Sequence, residues 1–168
     1  MAEDANPVKT PSVKEFHMYR YKAFISYHHS RQDKKIASRI QNVIEHFRLP
    51  GTAGTDAAKN HYSVFRDETE LSLSSDLNTS LKEALDQSEF LIVICSEETR
   101  KSAWVLEEIE YFLITHDYDH ILTVLVSGNA AEVCPEPLLE VKRENGTVIR
   151  KNNPLSANLT DENGNYKA

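Results

Sequence analysis

The run FLIVICS, from Phe90 to Ser96, constrains the fold most, because it is apolar on both faces when it is extended as a strand. A strand with one face in water alternates apolar and polar residues, whereas a strand covered by helices on both faces does not. The run HILTVLV, from His120 to Val126, has the same character. Both runs therefore predict central strands of a parallel sheet.

Amphipathic helices are predicted between the strands. One apolar stripe begins near Asp33 and comprises Ile36, Ile40, Val43, Ile44 and Phe47. A second helix, capped by Ser74 or Ser75, carries Leu77, Leu81, Ala84 and Leu85. A third helix is predicted over about residues 102 to 116. The runs YKAFISY and HYSVF predict two further strands. The alternation predicts right-handed crossovers and an α/β fold.

The ends of the chain differ from its middle. A chain of 168 residues has room for one domain with short arms. Residues 1–18 are polar and aperiodic and predict a disordered arm, and residues 19–140 form the domain. Residues 141–168 look loop-like apart from a short edge strand in PLSANL. Because no final amphipathic helix follows, we expect this segment to be the truncated end of the domain, cut from a longer protein.

Composition excludes several functions. Net charge is −7 without a basic stripe, so we expect neither nucleic-acid nor membrane binding. The chain lacks a membrane-length apolar stretch and a signal-peptide core, which predicts a soluble, cytoplasmic protein. Cys95 reads as a buried apolar residue, and its distance along the chain from Cys134 argues against a disulfide or a metal-type pair. We predict no metal site and no resident cofactor.

The candidate site lies where the loops after the strands converge, because open parallel sheets bind ligands at the carboxyl ends of their strands. The loops beginning YHHSRQD, FRDETELS and CSEETRKSAW bring to one rim Ser26, Tyr27, His28, Arg66, Asp67 and Ser96. Neither Gly-x-Gly-x-x-Gly nor Gly-Lys-Ser/Thr is present, so these phosphate-binding loops are excluded. Gly-x-Ser-x-Gly, the nucleophile elbow, is also absent.

The segment SAWVLEEIE, from Ser102 to Glu110, adds a tryptophan and three carboxylates to that rim. Trp104 and Glu108 are four residues apart and share a helix face, which places Glu108 at the border between core and solvent. Glu107 and Glu110 turn further toward water. A carboxylate beside an aromatic ring can bind sugar hydroxyls and stabilise an oxocarbenium ion. Acidic residues in a first helical turn can equally serve only the helix dipole and the surface.

Several motifs, in order and at matching spacing, resemble those of a bacterial TIR (Toll/interleukin-1 receptor) domain over roughly residues 21 to 126. KAFISYHHSRQD is similar to the family's first strand, and VFRDETELSLSSDL is similar to its second strand and the loop that contacts other TIR domains. SEFLIVICSEETRKSAWVLEEI is similar to its third strand and its Ser-Trp-Glu motif. The resemblance implies a flavodoxin-like fold, with a central parallel sheet of about five strands flanked by helices.

The resemblance also implies function. Many bacterial TIR domains cleave NAD⁺ between nicotinamide and ribose, in antiphage defence or cell-death signalling, and release linear or cyclised ADP-ribose. Their catalytic glutamate corresponds to Glu108, with Glu107 as the rival should the register be shifted by one. Substrate-binding positions would be Ser26, Tyr27, Arg66, Asp67 and Trp104, although packing is the simpler role for Trp104. Self-association would use Glu68, Leu71 and Leu73 of the contact loop.

Two alternatives to the NAD⁺ hydrolase remain open. The first is a non-catalytic TIR scaffold that acts through homotypic TIR–TIR contacts, and the second is a flavodoxin-like domain that binds another nucleotide. The enzyme hypothesis expects NAD⁺ and further TIR domains as partners, with Glu108 accessible in a cleft near Tyr27. The loop ETELSLSS lacks the Pro and Gly that the family often has there, so its contact surface differs from the family pattern.

Overall fold

The computed structural model describes residues 19–47, 62–66, 79–142, 148–151 and 154–167. The strands are β1 (Tyr21–Ser26), β2 (Val64–Arg66), β3 (Ser88–Cys95), β4 (Ile121–Leu125), β5 (Glu140–Lys142), β6 (Val148–Lys151) and β7 (Leu155–Asn158). The helices are α1 (Arg31–His46), α2 (Thr79–Asp86), α3 (Glu97–Lys101), α4 (Ala103–Thr115), α5 (Ala130–Val133) and α6 (Glu136–Leu139). A 3₁₀ turn at Tyr118–His120 leads into β4.

Five strands form one parallel sheet in the order β2-β1-β3-β4-β7. This arrangement confirms the predicted α/β fold with a central parallel sheet. β1 and β3 pair with Ser26 opposite Val93, so the carboxyl end of β3 extends two residues beyond that of β1. The loops after these two strands therefore share one edge of the sheet, as expected for a ligand site.

The two-sided apolar pattern of β3 is explained by burial on both faces of the sheet. Leu91, Val93 and Cys95 pack into a cluster with Phe24, Ile109 and Phe112, which we call the α4 face. Ile92 and Ile94 pack on the opposite side with Ala23, Ile25, Ile36 and Ala37, which we call the α1 face. Since successive residues of a strand point to opposite faces, an apolar run without alternation is what a sheet covered on both sides requires.

The two faces are covered differently. Helices α2, α4, α5 and α6 all contribute buried or packed apolar side chains to the α4 face. The α1 face is covered by α1, with Leu159 and Tyr166 from the chain after β7 packed against it. Among the residues described, no helix is long and apolar enough to cross a membrane.

The chain between β3 and α4 is more ordered than the sequence pattern suggested. Helix α3 begins after Ser96, whose hydroxyl oxygen accepts from the Thr99 amide at 3.3 Å. It ends at Ser102, which caps α4 by accepting from the Val105 amide at 3.4 Å. A five-residue helix is too short to show a 3.6-residue period, so capping serines are the sequence signal that remains.

The segment beyond Gly128 departs most from expectation. Helix α5 starts with a capping box between Asn129 and Glu132. The expected edge strand in PLSANL is β7, which pairs with β4, whereas the rest of the segment expected to be loop-like also contains a β5–β6 hairpin. Strands of three or four residues are specified by their pairing partners, so their own sequences carry little signal.

Candidate active site

A buried hydrogen bond joins β1 to α4 at the carboxyl edge of the sheet. The Ser26 hydroxyl donates to Glu108 Oε2 at 2.5 Å, and each residue is only 1% exposed. A hydroxyl bonded to one carboxyl oxygen inside a packed layer limits the orientations that this side chain can adopt. Ser26 and Glu108 are 82 residues apart, and the fold alone brings them together.

The local sequence explains both positions. Ser26 is the last residue of β1 and points to the α4 face, as Phe24 does two residues earlier. Glu108 lies in α4 beside Val105, Ile109 and Phe112, all of which are buried. One helix face therefore carries three apolar residues into the core and one carboxylate to the sheet edge, where a serine hydroxyl meets it.

Glu108 lies deeper than the sequence predicted. We expected the carboxylate at the border between core and solvent, accessible in a cleft near Tyr27, but its 1% exposure places it inside. Its neighbour Glu107 is half-buried, and Glu110 is exposed. Helical spacing gives the direction of a side chain but not how closely the next layer covers it. The prediction of accessibility is therefore wrong, while the distinction between Glu108 and the other two carboxylates holds.

Trp104 lies on the same face of the sheet as this pair. It is half-buried against the apolar cluster of the α4 face, one turn before Glu108. Its indole Nε1 is enclosed and has no hydrogen-bond partner within the described part of the chain. An enclosed donor without a partner is costly, so this N–H is suited to an acceptor that a ligand would bring. Packing of Trp104 is observed, and substrate contact stays a prediction.

Tyr27 and Arg66 belong to the other side of the sheet. Tyr27 is buried in the α1-face cluster, and its ring centroid lies 4.8 Å from that of His29. Arg66 pairs with Ile25 and donates from Nη1 to the Lys34 carbonyl of α1 at 3.4 Å. Ser26, Glu108 and Trp104 thus lie together on the α4 face. Tyr27 and Arg66, which are also predicted to bind substrate, lie on the opposite face. Their proposed role stays a prediction.

A second buried carboxylate near this edge was not identified from the sequence. Asp33, in the first turn of α1, is 2% exposed, and its Oδ2 accepts from the Ser96 hydroxyl at 3.3 Å. Burial raises the pKa of Asp33, while hydrogen bonds with Ser30 and Ser96 and the nearby His28 oppose that rise. The signal available was the spacing Ser30-x-x-Asp33, a helix-capping pattern that gives no indication of burial.

The remaining predicted site residues lie outside the described ranges. These are Asp67 of the substrate-binding set and Glu68, Leu71 and Leu73 of the predicted self-association loop. Within the described ranges, no three His, Cys, Asp or Glu side chains are grouped so that they could hold a metal ion. The chemistry that can be argued from described residues therefore rests on carboxylates and their hydroxyl donors.

Comparison with known proteins places this geometry in a family. The family described as "Thoeris protein ThsB, TIR-like domain" matches residues 24–131, a range that begins within β1, ends within α5 and includes both partners of the Ser26–Glu108 hydrogen bond. That range is more than half of the chain.

Two individual proteins are similar over about two thirds of this chain. The NAD(+) hydrolase ApTIR of Actinoplanes sp. is 42% identical over 109 residues, which are 65% of this chain and 14% of that protein. The chain thus spans about a seventh of that relative. The TIR domains in the activated Roq1 resistosome that recognises the effector XopQ share 23% identity at a TM-score of 0.49. That match covers 66% of this chain and 60% of theirs.

Proposed function

This chain belongs to the TIR-like domain family of the Thoeris protein ThsB, and from that premise we propose that it is an NAD⁺ glycohydrolase with Glu108 as its catalytic residue. The buried Ser26–Glu108 hydrogen bond at the carboxyl edge of the sheet is the observation that carries the proposal. Support also comes from the 42% identical relative, whose name describes an NAD(+) hydrolase.

The reaction needs a carboxylate but no strong nucleophile from the protein. Nicotinamide in NAD⁺ is a cationic leaving group, so the bond to ribose breaks with its electron pair passing to the nicotinamide nitrogen. Positive charge then develops at the anomeric carbon, and water adds there to give ADP-ribose and a proton. A carboxylate that binds the ribose hydroxyls orients the sugar and stabilises that charge, most effectively where water is excluded. Glu108 has this role in the proposal.

Ser26 has a positioning role in the same proposal. Its hydroxyl holds one oxygen of Glu108, which limits the orientations of the carboxylate. A carboxylate has about four acceptor positions, of which the serine hydroxyl takes one. Because Glu108 is 1% exposed, the ribose reaches it only after the surrounding side chains rearrange. We therefore expect low activity in dilute samples and higher activity when copies of the domain associate.

The product, the partners, the location and the biological role in this proposal are those that the TIR family suggests. The product is ADP-ribose or its cyclised form, the partners are NAD⁺ and further copies of the domain, and the protein acts in the cytoplasm. The role is antiphage defence or cell-death signalling.

Nicotinamide release from NAD⁺ tests the proposal. The purified domain would be assayed in dilute solution and at high density on beads, with ADP-ribose and its cyclic form separated by chromatography. Glu108→Gln keeps the shape of the side chain and an acceptor for Ser26 but removes the charge. We expect it to lower the rate by about 100-fold, as losses of transition-state stabilisers do. The control is Glu110→Gln, because Glu110 is an exposed carboxylate of the same helix.

The outcomes separate the alternatives. Release by the wild type and by Glu110→Gln but not by Glu108→Gln would support the proposal. If the clustered wild type releases no nicotinamide, the hydrolase proposal is overturned and the non-catalytic scaffold takes its place. Equal rates for all three proteins would establish cleavage but remove Glu108 from the chemistry.

A further inference from the structure

Two cysteine side chains that are remote in sequence meet on the α4 face. Cys95 is the last residue of β3, and Cys134 directly follows α5, 39 positions later. Their Sγ atoms are 3.5 Å apart, and neither residue has measurable exposure. Both thiols are free. The spacing along the chain argued against a disulfide, but the fold removes that objection by placing the sulfurs in contact.

The contact is close enough for a disulfide to form after a small movement. An S–S bond of about 2.05 Å would require the sulfurs to approach by about 1.5 Å from the present 3.5 Å. Cys95 is held in the central strand of the sheet, whereas Cys134 ends a helix of one turn. Because α5 is a single turn outside the sheet, the backbone of Cys134 is less restrained than that of Cys95, and Cys134 is the partner expected to move.

The two sulfurs differ in their readiness to ionise. The pKa of Cys134 is lowered, first by its hydrogen bond with Cys95, and also by the Thr123 hydroxyl and the charge of Arg100, while burial opposes the shift. The pKa of Cys95 is raised by the same contact and by burial. The thiolate is the reactive form of cysteine. Since neither thiol is exposed, peroxide must reach the sulfur that is uncovered first, and Cys134, at the end of a one-turn helix, is that sulfur, with Cys95 beside it as the resolving thiol.

We propose that Cys95 and Cys134 form a peroxide-sensitive dithiol that closes into an internal disulfide. In the first step, the Cys134 thiolate attacks one oxygen of hydrogen peroxide, the O–O bond breaks, and the departing hydroxide takes up a proton to give water. Cys134 is then a sulfenic acid. In the second step, the Cys95 sulfur attacks the Cys134 sulfur, the S–O bond breaks, and hydroxide leaves with the Cys95 proton as a second water. Two thiols lose two electrons and one peroxide gains them.

The cross-link would join the end of β3 to the end of α5, and α3, which follows β3, already contacts α5 through polar groups. Arg100 of α3 donates from Nη1 to the Ala131 carbonyl at 2.5 Å and to the Glu132 carbonyl at 2.8 Å. Cys95 also directly precedes Ser96, which caps α3 and donates to Asp33. A disulfide would thus fasten α5 to the sheet edge that carries the candidate site. The proposal concerns the sulfur chemistry alone and holds whether or not the domain cleaves NAD⁺.

Intact-mass measurement after treatment with hydrogen peroxide tests the proposal. The reduced protein would be incubated with peroxide, quenched, unfolded and alkylated. We expect the wild type to lose two hydrogen masses, to take up no alkylating reagent and to regain both sites after dithiothreitol. Peptide mapping should find Cys95 joined to Cys134 within one chain. In Cys95→Ser, dimedone should instead trap a sulfenic acid at Cys134, and Cys134→Ser should give no dimedone adduct.

Other outcomes would overturn the proposal. These are two thiols that still alkylate after peroxide, a sulfinic acid formed in place of the disulfide, and a disulfide that links two chains. Because each cysteine variant replaces a buried residue, its unfolding transition would be recorded beside that of the wild type. The wild-type mass and peptide map decide the question even if one variant fails to fold.

Discussion

The two faces of the sheet differ in what they bury. The α4 face encloses a carboxylate with its serine donor, a contacting pair of thiols, and the ring of Phe112 stacked on His116 with centroids 3.9 Å apart. The α1 face ends in exposed apolar side chains, with Val43 66% and Phe47 48% exposed. There, an apolar cavity of about 350 Å³ lies between the end of α1 and the sheet.

The difference indicates where chemistry is possible. A charged group inside a packed layer is strongly influenced by its few neighbours, because water does not screen it. The α4 face provides that setting for Glu108, and the buried Asp33 of α1 has a similar one on the other side, whereas the predicted substrate residues Tyr27 and Arg66 are held there in packing and backbone contacts. If the comparison is right, substitutions on the α4 face will have the larger effects on both stability and turnover.

The largest difference is expected for two phenylalanines. Phe112→Ala leaves a cavity under α4, because Phe112 is fully buried, and should lower the free energy of unfolding by about 3–5 kcal/mol. Phe47→Ala removes a ring that is 48% exposed and should cost less than about 1 kcal/mol. Urea unfolding of both variants measures the difference. Equal losses would contradict the contrast between the two faces.

Two buried serines at opposite ends of the sheet, Ser26 and Ser88, provide a matched pair of variants. Ser26→Ala removes the donor to Glu108 and should lower kcat for nicotinamide release by about 10- to 100-fold. That loss corresponds to the free energy of one hydrogen bond to a charged group. Ser88→Ala removes another buried serine, whose hydroxyl donates to the Ala84 carbonyl at 2.7 Å at the other end of the sheet. We expect Ser88→Ala to keep kcat within about three-fold of wild type. Similar loss in both variants would remove the specific role of Ser26.

The smallest expected effect is a pH dependence of stability. Burial lowers the pKa of His116, as does its neighbour His120, while carbonyls of Phe112 and Ser88 and the charge of Asp86 oppose the shift. The unfolded chain, with a histidine pKa near 6.5, then binds more protons than the folded one. His116 therefore reduces stability as pH falls below about 6.5 and has no such effect above it.

Replacement of the two helix-end histidines checks this dependence. His116→Gln should flatten the decline of unfolding free energy between about pH 7 and pH 5. The matched variant, His46→Gln, changes an exposed histidine in the last turn of α1. If the pH profile of His116→Gln runs parallel to that of the wild type, His116 is not the titrating group.

The sequence predicted most of the sheet because its signals there are repeated. β3 and β4 are apolar on both faces, and α1 repeats its apolar residues from Ile36 to Ile44, so each element is indicated by several residues at once. By contrast, α3 and α5 have five and four residues, and their caps are the main signal. Predictions were therefore sound where a period repeats and weak where pairing or capping determines the structure.

The shared helix face of Trp104 and Glu108 was predicted, but the burial of Glu108 was not, and the catalytic role of Glu108 stays a prediction. The spacing of Trp104 and Glu108 placed them correctly on one helix face. The burial of Glu108, however, depends on its contact with Ser26 of β1, which is 82 positions away in the sequence. The sequence alone could have predicted that Ser26 and Tyr27 lie on opposite faces of the sheet, since adjacent residues of a strand point to opposite faces. The contact of Cys95 with Cys134 could not have been predicted from the sequence, because it depends on how α5 packs against β3.

The proposal that Glu108 is the catalytic residue is best tested by comparing two adjacent carboxylates. Glu107 and Glu108 are neighbours in α4, and burial distinguishes them, since Glu108 is 1% exposed and Glu107 is half-buried. We would measure kcat for nicotinamide release at saturating NAD⁺ in Glu107→Gln and Glu108→Gln. We expect a loss of about 100-fold for Glu108→Gln and less than about three-fold for Glu107→Gln. An equal or larger loss in Glu107→Gln would contradict it.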